Sequence, residues 1–147
     1  ATSAVVAAAR AGAVDIDVRA RRPDAAAPLV TIGARLGVTV RATPLDAPDP
    51  ASVDATIAAL PGGTDLGALA GPLASASGPL VDVVYGGWPT PLAIAWERAG
   101  VPAHDGLTML LHQALLQVRL FVTGDASRPL RRDDEVLAAM RIALMGD

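Results

Sequence analysis

The 147-residue chain contains no Lys, no Cys and no Asn, and all 12 of its basic side chains are Arg. Each absence removes a class of chemistry. Without Lys there is no Schiff-base amine, no lysine acid or base, and no phosphate loop of the G-x-x-x-x-G-K-[ST] kind. Without Cys there is no disulfide, no thiolate nucleophile and no cysteine-held zinc or iron–sulfur cluster. Two His, 13 Asp and two Glu show no metal-ligand spacing, so no metal is expected. No Ser stands in a G-x-S-x-G setting, which argues against an α/β-hydrolase. Aromatics are scarce, at 3%. With 31 Ala in the chain, the core must be built from Ala, Val, Leu and Ile with close backbone approaches. The net charge of −3 gives no electrostatic reason to expect nucleic acid or an anionic membrane as partner. No apolar run reaches the roughly 18 residues of a transmembrane helix. Ala4–Ala9 has no basic segment before it and ends at Arg10, so it does not read as a signal peptide. The lack of Cys fits a reducing compartment, and a cytoplasmic location is expected.

What is present is alternation. Thr2–Ala11 is an Ala-rich helix pattern with a Thr/Ser start, stopped by Gly12. Val14, Ile16 and Val18 then alternate with polar residues, a strand of period two over Val14–Ala20. Asp24 is placed to cap a helix running to Leu36, closed by Gly37. Val38–Ala42 reads as a second strand and Thr43–Pro50 as a loop, with a short helix around Ala51–Asp54. Ala55–Leu60 is a third strand, and Asp65–Ser77 a helix broken by Gly71-Pro72. Leu80–Tyr85 has the β-branched content of a buried strand. Thr90 can cap a helix that has Pro91 at its first position and stops at Gly100. A short strand, Val101–His104, precedes a long helix that Asp105 can cap, from Gly106 to about Val122. Asp133–Leu144 is a last helix. Strict alternation predicts one α/β domain over residues 1–147, a three-layer parallel sheet with helices on both faces. Right-handed crossovers put the ligand crevice at the carboxyl ends of the strands. Such a fold ordinarily opens with its central strand and a glycine-rich turn. Here a helix comes first, so the pattern enters one strand late and lacks that strand and loop.

Several residues fall where ligand chemistry belongs. Arg21 and Arg22 follow the strand whose carboxyl end meets the adenosine ribose in a dinucleotide fold. An acidic residue there selects NAD, whereas Arg suits the 2′-phosphate of NADP by charge-assisted bonds. A solvated basic loop is the plainer reading of the same pair. On the long helix, Gly106, Met109 and Gln113 fall within roughly 60° of one another. They lie beside the apolar stripe of Leu107, Leu110, Leu111, Ala114, Leu115 and Val118. Gly lets a ligand approach the backbone, and Gln offers both a donor and an acceptor. Core filling by Met109 and surface exposure of Gln113 are the alternatives. Tyr85, the only Tyr, ends a buried strand. His112 points about 100° away from Gln113, and neither it nor His104 is read as a base.

The segment Asp105-Gly106-Leu107-Thr108-Met109-Leu110-Leu111-His112-Gln113-Ala114 resembles the D-G-x-x-M-L-x-x-Q-A signature of the shikimate dehydrogenases. Asp82-Val83-Val84-Tyr85 with Pro89-Thr90-Pro91-Leu92 is similar to the family's D-x-x-Y-x-P-x-x-T-P-L segment, and the spacing between the two segments agrees. Val18-Arg19-Ala20-Arg21-Arg22 is similar to its strand ending in an N-R-T-type NADP clamp, with Ala20 and Arg22 in place of the Asn and Thr. The resemblance is greatest to the actinobacterial branch and covers the carboxyl-terminal, cofactor-binding half. It implies an oxidoreductase parent that reduces 3-dehydroshikimate to shikimate with NADPH, in the chorismate route to aromatic amino acids. It implies that Arg21 and Arg22 hold the 2′-phosphate, that Val83, Gly106 and Met109 lie at the nicotinamide, and that Tyr85 and Gln113 bind the substrate ring. Ala59 and Leu60 occupy the place of a cofactor-side Asn-Ala-Thr loop that is not kept here. The family's Lys/Asp acid–base pair belongs to the amino-terminal domain, so no catalytic residue is assigned to this Lys-free chain, and the chain alone is expected to be inactive. The alternatives are a non-catalytic nucleotide-binding or oligomerisation module, homo-oligomeric through an exposed sheet edge, and an NAD-dependent quinate/shikimate dehydrogenase piece.

Overall fold

The computed structural model describes residues 1–48 and 52–145. Its elements in chain order are α1 (Thr2–Arg10), β1 (Asp15–Ala20), α2 (Ala27–Leu36), β2 (Thr39–Pro44), β3 (Thr56–Ala58), α3 (Ala70–Ser75), β4 (Leu80–Asp82), α4 (Pro91–Arg98), β5 (Ala103–His104), α5 (Leu107–Thr123) and α6 (Asp133–Met145). The alternation is that of an α/β fold. All strand pairs are parallel, as connections through helices require.

The strands form two sheets, β1–β2 and β3–β4–β5. In a doubly wound fold six strands lie in the order 3-2-1-4-5-6. The two sheets here supply the pairs 3-2 and 4-5-6, and no described strand takes the central position. The ladders also show which backbone groups of β1 and β3 face away from their partner strands. Val14 and Ala20 accept from Thr39 and Leu45 of the β2 side, so Asp15, Asp17 and Arg19 turn their main-chain groups away from β2. Likewise Ala58 accepts from Val83, and Ile57 turns away from β4.

Each sheet has its own core. Ile16, Val18, Val38 and Val40 of the first pack on Val5 of α1 and on Ala26 and Leu29. Gly33 of α2 makes this approach close: a Cβ there would sit 2.2 Å from Val40 Cγ2. Ala58 and Leu80 of the second sheet pack on Ala70 and Ala74 of α3 and on Leu92 and Trp96 of α4. Trp96 is almost wholly buried and donates its indole N–H to the Gly78 carbonyl (3.1 Å). One large aromatic thus fills what the many alanines leave open.

Some boundaries differ from the sequence expectation. Asp24 does not cap α2. It lies inside a 3₁₀ turn, Pro23–Ala26, because Pro23 starts a turn before the α-helix begins. Thr2 lies inside α1, and Ala1 stands at the cap position without a side-chain bond. Of the short helix expected at 51–54, residue 51 lies outside the described residues. Residues 52–54 are not helical, and Val53 pairs with Ser77 as an isolated parallel bridge. Gly78 permits this, since a Cβ there would lie 2.0 Å from the Asp54 carbonyl oxygen. Gly71 and Pro72 do not break α3; they occupy its first turn, where a missing N–H costs nothing. A 3₁₀ turn, Gly67–Leu69, precedes it.

Candidate functional site

The expected ligand residues lie just beyond strand carboxyl ends or on the helix after β5. Arg21 and Arg22 follow β1 and are exposed. Arg19, two residues earlier, has a different fate. Its guanidinium donates to Asp17 (3.2 Å) and to the carbonyls of Ala47 (3.0 Å) and Pro48 (2.6 Å), tying β1 to the loop after β2. Among the described residues Arg21 and Arg22 form no ion pair and no side-chain hydrogen bond. Two unspent cations thus stand beyond the strand, while the neighbouring Arg19 is consumed internally.

The second sheet gathers the other residues. Gly106 is buried against β4's extension: its N–H donates to the Val84 carbonyl (2.9 Å), and a Cβ would lie 2.4 Å from the Val83 carbonyl oxygen. Val83 and Gly106 are therefore brought into backbone contact. The Gly106 carbonyl already accepts Leu110 N–H (2.9 Å), which leaves one lone pair for a further donor. Asp105 accepts Leu107 N–H (3.1 Å) and so satisfies one of the orphan donors at the start of α5, although Gly106 is the residue at the cap position. Along α5, Leu111 and Leu115 are buried, Met109 is half-buried and Gln113 exposed. His112 and His104 are exposed.

Beyond β3, Ala59 is exposed and Leu60 half-buried. Leu60 shares a depression of about 10 Å³, room for one water, with Asp82, Val84, Thr90 and Leu92. Tyr85 is 59% exposed and makes no side-chain hydrogen bond among the described residues, so its hydroxyl is available. Just beyond β4, Gly106 therefore adjoins Val83, while Leu60 adjoins Asp82 and Val84. Arg21 and Arg22 lie beyond β1 of the other sheet, and among the described residues no side-chain hydrogen bond or ion pair joins them to this group.

Two residues beside the site had no assigned role in ligand chemistry. Asp82 and Thr90 are each 4% exposed, the only buried polar side chains among the described residues. Thr90 donates its hydroxyl to Asp82 Oδ2 (2.8 Å), and Val84 N–H donates to Asp82 Oδ1 (3.2 Å). Thr90 Oγ1 in turn accepts Ala93 N–H (3.1 Å), the cap expected for α4. The sequence signal was a lone carboxylate inside an otherwise apolar strand, with a capping Thr eight residues on.

These features define a class first: an open, parallel α/β domain of Rossmann-like type, with available polar and cationic groups beyond its strand ends. The particular family follows from likeness to solved structures. No protein-family model matches the chain, and no match was found among curated proteins. The chain is similar to the crystal structure of Mycobacterium tuberculosis shikimate dehydrogenase, with 42% identity and a TM-score of 0.78 over 97% of this chain and 52% of that one. It is similar to a shikimate 5-dehydrogenase from Mycobacterium fortuitum at 33% identity, with a TM-score of 0.73 over 94% of this chain and 50% of that one. A dehydroquinate dehydratase and shikimate dehydrogenase from S. pombe shares the fold at 17% identity and a TM-score of 0.68, over 95% of this chain and 27% of that one. The chain belongs to the shikimate dehydrogenase family, of the actinobacterial type, and spans about half the length of the mycobacterial members it matches.

Proposed function

We propose that residues 1–147 are the NADP-binding part of an NADP-dependent shikimate dehydrogenase, whose whole chain reduces 3-dehydroshikimate to shikimate. The observation that carries the cofactor choice is the pair Arg21 and Arg22, exposed and without partners beyond β1, while Arg19 is engaged within the fold. Two guanidiniums there suit a phosphomonoester far better than a ribose hydroxyl. The backbone contact of Gly106 with Val83 supports a flat group lying against this end of the sheet, with Ala59, Leu60 and Met109 around it. NADPH, when bound, supplies a hydride to the substrate carbonyl carbon. The residues of this chain bind and orient: Tyr85 and Gln113 present a hydroxyl and an amide to the substrate ring. The carbonyl oxygen needs a proton, and a Lys cannot deliver it from a chain that has none.

A turnover assay tests this division of labour. The chain alone is expected to form no NADPH from shikimate and NADP; shikimate-dependent NADPH formation would overturn it. A cytoplasmic location and a place in aromatic biosynthesis accompany the proposal. The absence of Cys supports the first. Among the described residues no helix is long and apolar enough to cross a membrane.

A second reading has its own support. The edges of β1 and β3 that face the central position carry main-chain groups with no strand partner among the described residues. Such edges pair with other strands, which favours a non-catalytic assembly module. Light scattering distinguishes the two: a monomer at 14.9 kDa removes self-assembly, and a concentration-dependent oligomer supports it.

A further inference from the structure

The segment joining β4 to α4 carries Tyr85, and it is exposed from Tyr85 to Pro89. Both of its ends are buried. On the β4 side, Val83 N–H donates to the Ala58 carbonyl (3.0 Å) and the Val84 carbonyl accepts Gly106 N–H (2.9 Å). On the α4 side, Thr90 caps the helix through Ala93 N–H. One buried link joins the two ends: the Asp82 carboxylate holds Val84 N–H with one oxygen and the Thr90 hydroxyl with the other. No hydrogen bond among the described residues holds the span between them. We propose that Asp82 and Thr90 are positioning residues for substrate: their link fixes both ends of the 85–89 span and so sets where the Tyr85 hydroxyl points. The inference rests on the reading of Tyr85 as a substrate contact.

The chemistry favours this pair for the task. A carboxylate accepts two bonds in fixed directions, and its charge lies near the amino terminus of α4, where an anion is stabilised. The hydroxyl both donates to Asp82 and accepts from α4, so strand, loop and helix are joined through one oxygen. Removing the hydroxyl frees one end of the loop while the flanking main-chain bonds of Val83 and Val84 remain.

Because Tyr85 is the only Tyr of the 147 residues, 3-fluorotyrosine incorporated into this 147-residue chain gives a single ¹⁹F reporter at this point. The chain, Thr90→Ser, Thr90→Val, Asp82→Ala and Asp82→Asn are compared without ligand and in a shikimate titration, with circular dichroism to confirm folding. The expected result is one narrow line for the chain and for Thr90→Ser, moved by shikimate. Thr90→Val and Asp82→Ala give a broadened or split line and at least a fivefold weaker shikimate response, with helicity retained. Asp82→Ala leaves the Thr90 cap intact. A disturbance in Thr90→Val with an unchanged Asp82→Ala would therefore reduce the effect to helix capping and overturn the proposal. Lines in both variants that superimpose on the parent, with equal titrations, would also overturn it. Should Asp82→Ala not fold, Asp82→Asn keeps the shape and is held to the same criterion. A parent line that shikimate does not move counts against the role of Tyr85, and the ligand-free spectra then decide the positioning of the loop separately.

Discussion

At the residue scale, three arginines illustrate what a sequence does and does not reveal. Arg19, Arg21 and Arg22 lie within four positions of one another. Nothing local separates them, yet Arg19 folds onto the carbonyls of Ala47 and Pro48, nearly thirty residues on. Only long-range geometry shows which cations remain for a ligand. The sequence expectation for Gly106 was that a ligand approaches its backbone, whereas the space a Cβ would take is filled by the Val83 main chain. Gly106→Ala is expected to destabilise the chain by roughly 1–3 kcal/mol, since the added methyl meets main chain that cannot rotate aside. Gly71 in α3 has nothing within 4 Å of an added Cβ and no positive φ. Gly71→Ala should therefore be neutral or stabilising by about 0.5–1 kcal/mol. Urea midpoints of the two variants check this; equal losses would contradict the packing account.

At the element scale, the longer helices were legible, whereas the short helix at 51–54, the extent of α3 and the strand ends were not. Thr90 with Pro91 marked the start of α4, and Gly37 and Gly124 closed α2 and α5 in the left-handed conformation, because caps and stops act within a few residues. Strand length depends on the neighbouring strand. β3 and β4 are shorter than their apolar runs, although single bonds from Val83 and Gly106 continue beyond them. The pairing of α5 with α6 also rests on a contact no local pattern announces. Arg119 pairs with Asp133 at the start of α6, and Asp133 also accepts Leu130 N–H (3.0 Å). The Arg119 hydrogen bond, helped by Leu130 N–H, holds the Asp133 carboxyl below the usual carboxylate range despite its partial burial. A carboxyl with a depressed folded pKa contributes stability above its unfolded pKa of about 3.9, and that contribution is lost as pH falls through the folded value. Stability is thus expected to hold from neutral pH to about pH 5 and to fall on further acidification. Asp133→Asn should flatten part of that fall; an identical acid profile in chain and variant would contradict the role given to this pair.

At the scale of the whole molecule, alternation of strand and helix was enough to predict a parallel α/β fold; a helix separates each pair of hydrogen-bonded neighbours, and none is described between β2 and β3. The candidate site was legible in part. Val83 meets Gly106 and Leu60 lies beside Val84, both just beyond β4, because strand ends of one parallel sheet share an edge. The Asp82–Thr90 link was not assigned a role because its meaning depends on both partners being buried. We propose that this chain recognises the 2′-phosphate of NADP through the cations Arg21 and Arg22 beyond β1. Calorimetric titration of the chain and of Arg21→Ala with NADPH and NADH tests it most directly. A charge-assisted bond contributes about 1.5–3 kcal/mol, or roughly tenfold or more in affinity. NADPH is expected to bind at least about tenfold tighter than NADH, with most of that margin lost in Arg21→Ala. Equal affinities for the two cofactors, or a preference that survives the substitution, would contradict the account.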